Sequence, residues 1–165
     1  MVIKTKHILK VADEVWVATA LLHKENPSRA DFSVAEILAR AREEADSGGL
    51  RPGVYVHVVQ HCVANRAPNP GRYRMLVETG KNRRRLYRPG DPCSPDRQGA
   101  KIVPRKEEIP AEYHGLVDWY FKEYALRRAS PEKADLLLAL RGSGKELWAD
   151  EHADEYVRRL REGWE

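Results

Sequence analysis

Apolar positions in the first fifty residues recur at helical spacing. Val11, Val15, Ala18 and Leu22 lie three or four apart, and Trp16 and Leu21 widen the stripe, which predicts an amphipathic helix with one face on a core. Asn26-Pro27 closes it, because proline pushes the residue before it out of the α region. Ser33-Val34-Ala35-Glu36 has the Ser-x-x-Glu form of a capping box, with Phe32 placed for a staple against Ile37. Ile37, Leu38, Ala41 and Ala45 then predict a second helix, stopped by Ser47-Gly48-Gly49.

Beyond Arg51-Pro52-Gly53 two periods compete. Val54, Val56 and Val58 alternate as in a strand, whereas Val54, Val58 and Cys62, with Val59 and Val63, follow a helix. The stretch Gly53–Asn65 is long for a strand and holds no turn residue, which favours helix; its β-branched content keeps strand open. Asn69-Pro70-Gly71 is a turn. Tyr73–Thr79 and Arg83–Arg88 read as two strands joined by Gly80-Lys81-Asn82, with Tyr73, Met75 and Val77 on one face and Arg74 on the other. Three helices and a hairpin give an α+β fold, mainly α, on the plan of a winged helix-turn-helix domain over residues 1–92.

The remainder differs in texture. Residues 93–112 mix proline with charge (Pro95, Pro104, Pro110; Arg97, Lys101, Arg105, Lys106) and read as a linker. Residues 113–165 read as a helical extension. Leu116, Tyr120, Phe121 and Tyr124 predict a helix over Tyr113–Arg128, and Ser130-Pro131 starts another through Leu140. Arg141-Gly142-Ser143-Gly144 breaks that helix, and Tyr156, Val157 and Leu160 share a face in Ala153–Trp164.

Charge gives this outline a function. The net +4 is uneven: residues 1–50 carry seven Lys/Arg against eight Asp/Glu, and residues 89–165 carry thirteen against sixteen. Residues 51–88 carry nine cations (Arg51, Arg66, Arg72, Arg74, Lys81, Arg83, Arg84, Arg85, Arg88) against Glu78 alone. Eight of the nine are arginine, whose planar fork fits phosphate and the guanine edge. The expected partner is double-stranded DNA. Gly53–Asn65 would serve as recognition helix, offering Tyr55, His57, Gln60, His61 and Asn65 to bases or phosphates. Arg83, Arg84 and Arg85 on the wing would supply most of the phosphate contacts, although consecutive strand residues cannot all face one groove.

Two stretches carry resemblances. His61-Cys62-Val63-Ala64-Asn65-Arg66-Ala67-Pro68-Asn69-Pro70-Gly71-Arg72-Tyr73-Arg74-Met75-Leu76, followed by Arg83–Asp91, resembles a family of uncharacterised prokaryotic winged-helix domains over about residues 8–92. That resemblance implies the fold and a DNA-related role, and it brings no catalytic residues with it. The tail from Leu140 to Trp164 is similar to the C-terminal arms of antitoxins that neutralise PIN-domain RNases. It implies a partner-binding arm with Lys145, Trp148, Tyr156, Arg158, Arg159 and Arg161 as contacts, and Trp164 adds a third aromatic anchor in the same short segment. Such an arm could capture a PIN-type toxin or make a homodimer. A self-docked tail remains the equal alternative.

Other chemistry is sparse. His57 and His61 share a helical face without the Glu of a His-Glu-x-x-His site, and Cys62 and Cys93 form no Cys-x-x-Cys pair. Asp150-Glu151-His152 and Asp154-Glu155 are acidic but lie on a tail, where preorganisation is poor. No P-loop, dinucleotide fingerprint or Gly-x-Ser-x-Gly occurs, so neither catalysis nor a metal or other cofactor is expected. No apolar run reaches the roughly 18 residues of a membrane span. The opening Met1–His7 has two lysines but no apolar stretch after them, which with two thiols points to the cytoplasm.

Overall fold

The first apolar stripe becomes helix α1, Val11–Glu25, in the computed structural model, which describes residues 9–45 and 49–127 together with Arg158 and Arg161. Lys24 and His23 lie in its last turn and Asp13 and Glu14 in its first, as the helix dipole favours. Asn26 caps it by donating from its backbone and its side-chain amide to Leu22 O. Burial runs almost all the way round: Ala12 to Ala20 are buried without interruption, and so is His23. An amphipathic surface helix would bury one stripe. This helix is the centre of the core instead, because later parts of the chain cover its second face.

Ser33 then does what its spacing predicts. Its hydroxyl accepts from Glu36 N–H while Glu36 carboxylate accepts from Ser33 N–H, the reciprocal capping box of helix α2, Val34–Glu44. Phe32 and Ser33 form the short strand β1, with Phe32 fully buried beside Ile37 in the same core cluster. Gly53, at φ +90°, turns the chain into α3 (Val54–Val56), and a π-helical turn, His57–His61, continues it. So Gly53–Asn65 is helical over residues 54–61, and the strand alternative falls away. A helix with positive φ at its threshold needs glycine there.

Strands β2 (Leu76–Gly80) and β3 (Arg83–Leu86) form the expected hairpin, three residues shorter at the start than the alternating pattern implied. Met75, Leu76 and Val77 are all buried in succession, so the two faces of this edge are not apolar and polar in turn. Lys81 and Asn82 make the turn, with Asn82 at φ 56° and a bulge between Glu78 and Gly80. β1 pairs antiparallel with β3, which gives a three-stranded sheet in the order β1-β3-β2. Asn82 O also accepts Val34 N–H, fixing the hairpin tip against the start of α2.

Residues 93–112 are not a linker. They belong to the same unit as everything before them: the chain divides into Met1–Leu126 and Arg127–Glu165. Two single turns of 3-10 helix (Pro95–Arg97, Lys106–Glu108) bring Arg97 and Ile109 into the interior. Lys101 binds buried Asp13 and also Glu108, which Lys10 reaches from the other side. A further 3-10 turn (Ala111–Tyr113), helix α4 (His114–Trp119) and a π-helical turn (Tyr120–Tyr124) then lay Leu116, Val117, Trp119, Tyr120 and Tyr124 on the core. The Tyr120 ring meets the edge of Trp16 in α1 at 5.9 Å. Phe121, counted among the apolar positions of this helix, faces outward instead. Lys101, Lys106 and Glu108, whose charge suggested a solvated linker, are engaged in ion pairs within the unit.

One buried group makes the fold sensitive to acid. His23 sits between the rings of Phe32 (4.9 Å) and Tyr124 (4.8 Å), and its Nε2 accepts Leu86 N–H. Burial, with the Arg88 and Arg85 guanidiniums nearby, lowers its pKa to about 3. The unfolded chain takes up that proton near pH 6.5, so this contribution is complete above 6.5 and is lost as pH falls towards 3. Urea titrations should show the wild type losing up to about 1.4 kcal/mol per pH unit relative to His23→Gln between pH 6.5 and 4.5. Equal pH slopes in the two proteins would remove His23 from the account.

Candidate nucleic-acid interface

The helical stretch after Gly53 holds most of its polar side chains in place. His57 Nδ1 lies 2.8 Å from Gly53 O, which requires the proton on that nitrogen. Gln60 donates to Ala67 O at 2.6 Å. The His61 ring packs edge-on to His57 at 4.9 Å and covers Gly71 so closely that a Cβ there would stand 2.7 Å from His61 Cβ. Gly71 is therefore required for this approach. Burial, then His57 and Arg97, lower the His61 pKa, and its Nδ1 is enclosed without a partner. Asn65 brackets the backbone of Glu78, accepting from its N–H and donating to its C=O. Among the residues proposed from sequence as base readers, Tyr55 (59%) and Asn65 are exposed, Asn65 while holding the Glu78 backbone; Val56, beside Tyr55, is exposed at 37%.

Seven of the eight arginines are equally committed. Arg51 donates to Leu9 O and Glu14, anchoring the entry to α3 onto α1. Arg66 makes a forked pair with Glu78 at 2.6 and 2.9 Å. Arg74 donates to Ala100 O, and its guanidinium lies 5.7 Å from the Tyr87 ring centroid. Arg83 binds Asp31, Arg85 forks onto Asp91 at 2.6 and 2.7 Å, and Arg88 donates to Tyr124 O while covering that ring at 4.1 Å.

Arg84 departs furthest from expectation. It is 1% exposed, donates to Val58 O and Arg83 O, and pairs with Glu78 at 3.3 Å. A phosphate cannot reach it. Of the three arginines that open β3, Arg84 is thus a core residue, Arg85 is largely enclosed, and Arg83 alone keeps substantial exposure. The charge count went wrong because partners came from elsewhere in sequence. Asp31 lies far upstream, Asp91 closes the turn after β3, and the single Glu78 serves two arginines.

Two cations of the basic stretch stand free among the described residues. Arg72 follows Gly71 and so flanks the far end of the α3 helical run; Lys81 tips the hairpin beside the start of α2. Both are exposed. Between residues 47 and 77 the chain contains no Asp or Glu, so nothing in that segment opposes a phosphate. Arg97, which sequence reasoning placed in the linker, proves to be what shapes this surface. Its guanidinium is fully buried and donates to the carbonyls of Gln60, His61, Arg66, Ala67 and Tyr73. No short-range pattern in the sequence marks it.

Of the proposed arm, Lys145, Trp148, Tyr156, Arg159 and Trp164 lie outside the described residues, as does the helix predicted from Ser130. Arg158 and Arg161 are helical and exposed. Among the described residues no group of three or more His, Cys, Asp or Glu is arranged to hold a metal, and no helix is long and apolar enough to cross a membrane. Cys62 and Cys93 are free thiols. No family model, curated protein or solved structure matches this chain.

Proposed function

We propose that the protein binds duplex DNA as a winged-helix domain, with the α3 helical run in the major groove and the hairpin tip against the backbone. The observation that carries this reading is the order α1-β1-α2-α3-β2-β3 with sheet order β1-β3-β2. In that arrangement one short strand after the first helix closes against a hairpin. The third helix is left with Tyr55 and Val56 on its outer side and free cations near it and at the hairpin tip. Helices of this kind enter the groove of about 12 Å width by their N-terminal residues. A role in transcriptional regulation follows from such binding.

The internal pairing changes what binding should look like. Nine phosphate contacts would give a salt slope of about −8. Arg72 and Lys81, helped by half-exposed Arg51 and Arg83, predict a slope of about −2 to −4. Titration of a 24-base-pair duplex across salt concentrations measures it. Arg72→Ala with Lys81→Ala should lower affinity at 0.1 M salt by roughly 10- to 60-fold and the slope by about 2. A double variant that binds as the wild type does would sink this interface.

A further inference from the structure

With Gln60 and one nitrogen of His57 bonded to backbone carbonyls, and His61 packed on His57, the hydrogen-bonding groups left on the outer side of α3 are few, the Tyr55 hydroxyl chief among them. No lysine, arginine, aspartate or glutamate occurs in Val54–His61, so the bidentate contacts that identify guanine or the amino group of cytosine have no donor or acceptor there. What the helix does present at its second and third positions is Tyr55, the most exposed aromatic of this segment, and the two methyl groups of Val56. Buried apolar side chains one step round the helix, Val54 and Val58, show that the exposure is one-sided. An apolar patch at the N-terminal end of a groove-reading helix has one complement on the floor of the major groove. That complement is a methyl group on pyrimidine C5, which thymine carries and cytosine lacks.

We infer that Val56 and Tyr55 select DNA by the C5-methyl group of thymine. This inference rests on the DNA-binding reading above and adds the chemical class of base recognised. The surroundings support a nucleic-acid occupant over an apolar protein surface. Arg72, unpaired among the described residues, stands beyond the far end of the helical run, Arg51 before it is held by Glu14 but partly exposed, and the segment 47–77 itself holds no acid to repel phosphate. It consists of two side chains, small for a protein interface of about 800 Å² per partner.

The test uses the full chain and four 24-base-pair duplexes of alternating sequence: dA-dT, dA-dU, dG-dC and dG-5-methyl-dC. Uracil removes the methyl group, and 5-methylcytosine restores it on an otherwise unfavoured pair. Each methyl contact should be worth about fourfold, so dA-dT should bind at least about fourfold tighter than dA-dU. The dG-5-methyl-dC duplex should exceed dG-dC by a similar factor. Val56→Ala, a truncation at a partly exposed position, should abolish both ratios while leaving the thermal melt within a few degrees of the wild type. Ratios of one with clear binding overturn the methyl inference and leave the DNA reading intact. Ratios that persist in Val56→Ala place the methyl contact elsewhere and also overturn it. Absence of binding to all four duplexes overturns both, as does concentration-dependent self-association that Val56→Ala abolishes.

Discussion

Arg97→Ala is expected to lower stability by about 3–5 kcal/mol, the largest loss from any single polar substitution in the unit. The guanidinium is completely buried and meets no carboxylate; its charge is dispersed over five backbone carbonyls, at distances from 2.6 to 3.4 Å. Two of those carbonyls, of Gln60 and His61, end the α3 helical run, and the other three belong to the irregular segment that leads from it to β2. A loop without its own ladder has unsatisfied acceptors, and here one side chain satisfies them together. Hydrogen bonds to a charged donor contribute about 1.5–3 kcal/mol apiece and do not add fully. In a thermal melt the loss corresponds to a fall of about 10–20 °C. Arg97→Lys should recover little, because an ammonium offers three donors on a point charge where the guanidinium offers five in a plane. A melt within about 3 °C of the wild type would show that the five contacts are dispensable.

Arg84→Ala should cost about 2–4 kcal/mol, whereas Arg83→Ala, one residue away, should stay within about 1 kcal/mol. Adjacent positions on a strand face opposite ways. Arg84 points into the interior towards Val58 O and Glu78, and Arg83 points outward to Asp31. Removing the inward one leaves Val58 O without that donor and Glu78 with one cation fewer, in a region too enclosed for water to substitute freely. Chemical denaturation of the two single variants separates the cases, and equal midpoints would contradict the burial of Arg84. The comparison matters for binding studies. Lost DNA affinity after replacing Arg83, Arg84 and Arg85 together would report unfolding. Arg72 and Lys81 can be removed without touching a described internal contact.

Several local signals in the sequence were faithful, although the alternation over Tyr73–Val77 and the core place of Phe121 were not. The capping box at Ser33–Glu36, the stop at Asn26-Pro27, the hairpin turn at Lys81-Asn82 and the helical period after Gly53 all depend on residues within four positions of one another. The structure contains each of them. Long-range pairing was not legible. The same Arg84 side chain would serve equally on a solvated wing or in a core; the difference is whether Glu78 and Val58 O stand opposite. The apolar stripe of α1 is real and predicts one buried face, yet Asp13 and Glu14 are also enclosed, each with one carboxylate oxygen unpartnered. What closes over that face is a proline- and charge-rich stretch whose composition resembles that of an unfolded tether. Lys101 and Glu108 become structural only when Asp13 and Lys10 are beside them.

The clasp that joins the two ends of this unit also sets an order in time. Asp13 meets Lys101, and His23 meets the Tyr124 ring, across sequence separations of 88 and 101 residues. A ribosome adds about 5–20 residues per second, so α1 is made roughly 5–20 s before its final neighbours exist. Through that interval Trp16 and the carboxyl group of Asp13 lack their final neighbours, whereas Arg51 can reach Glu14 sooner. The capping box of α2 and the hairpin, by contrast, can form as soon as they emerge. Assembly of the unit is therefore local first and global last: the earliest helix waits longest to be enclosed.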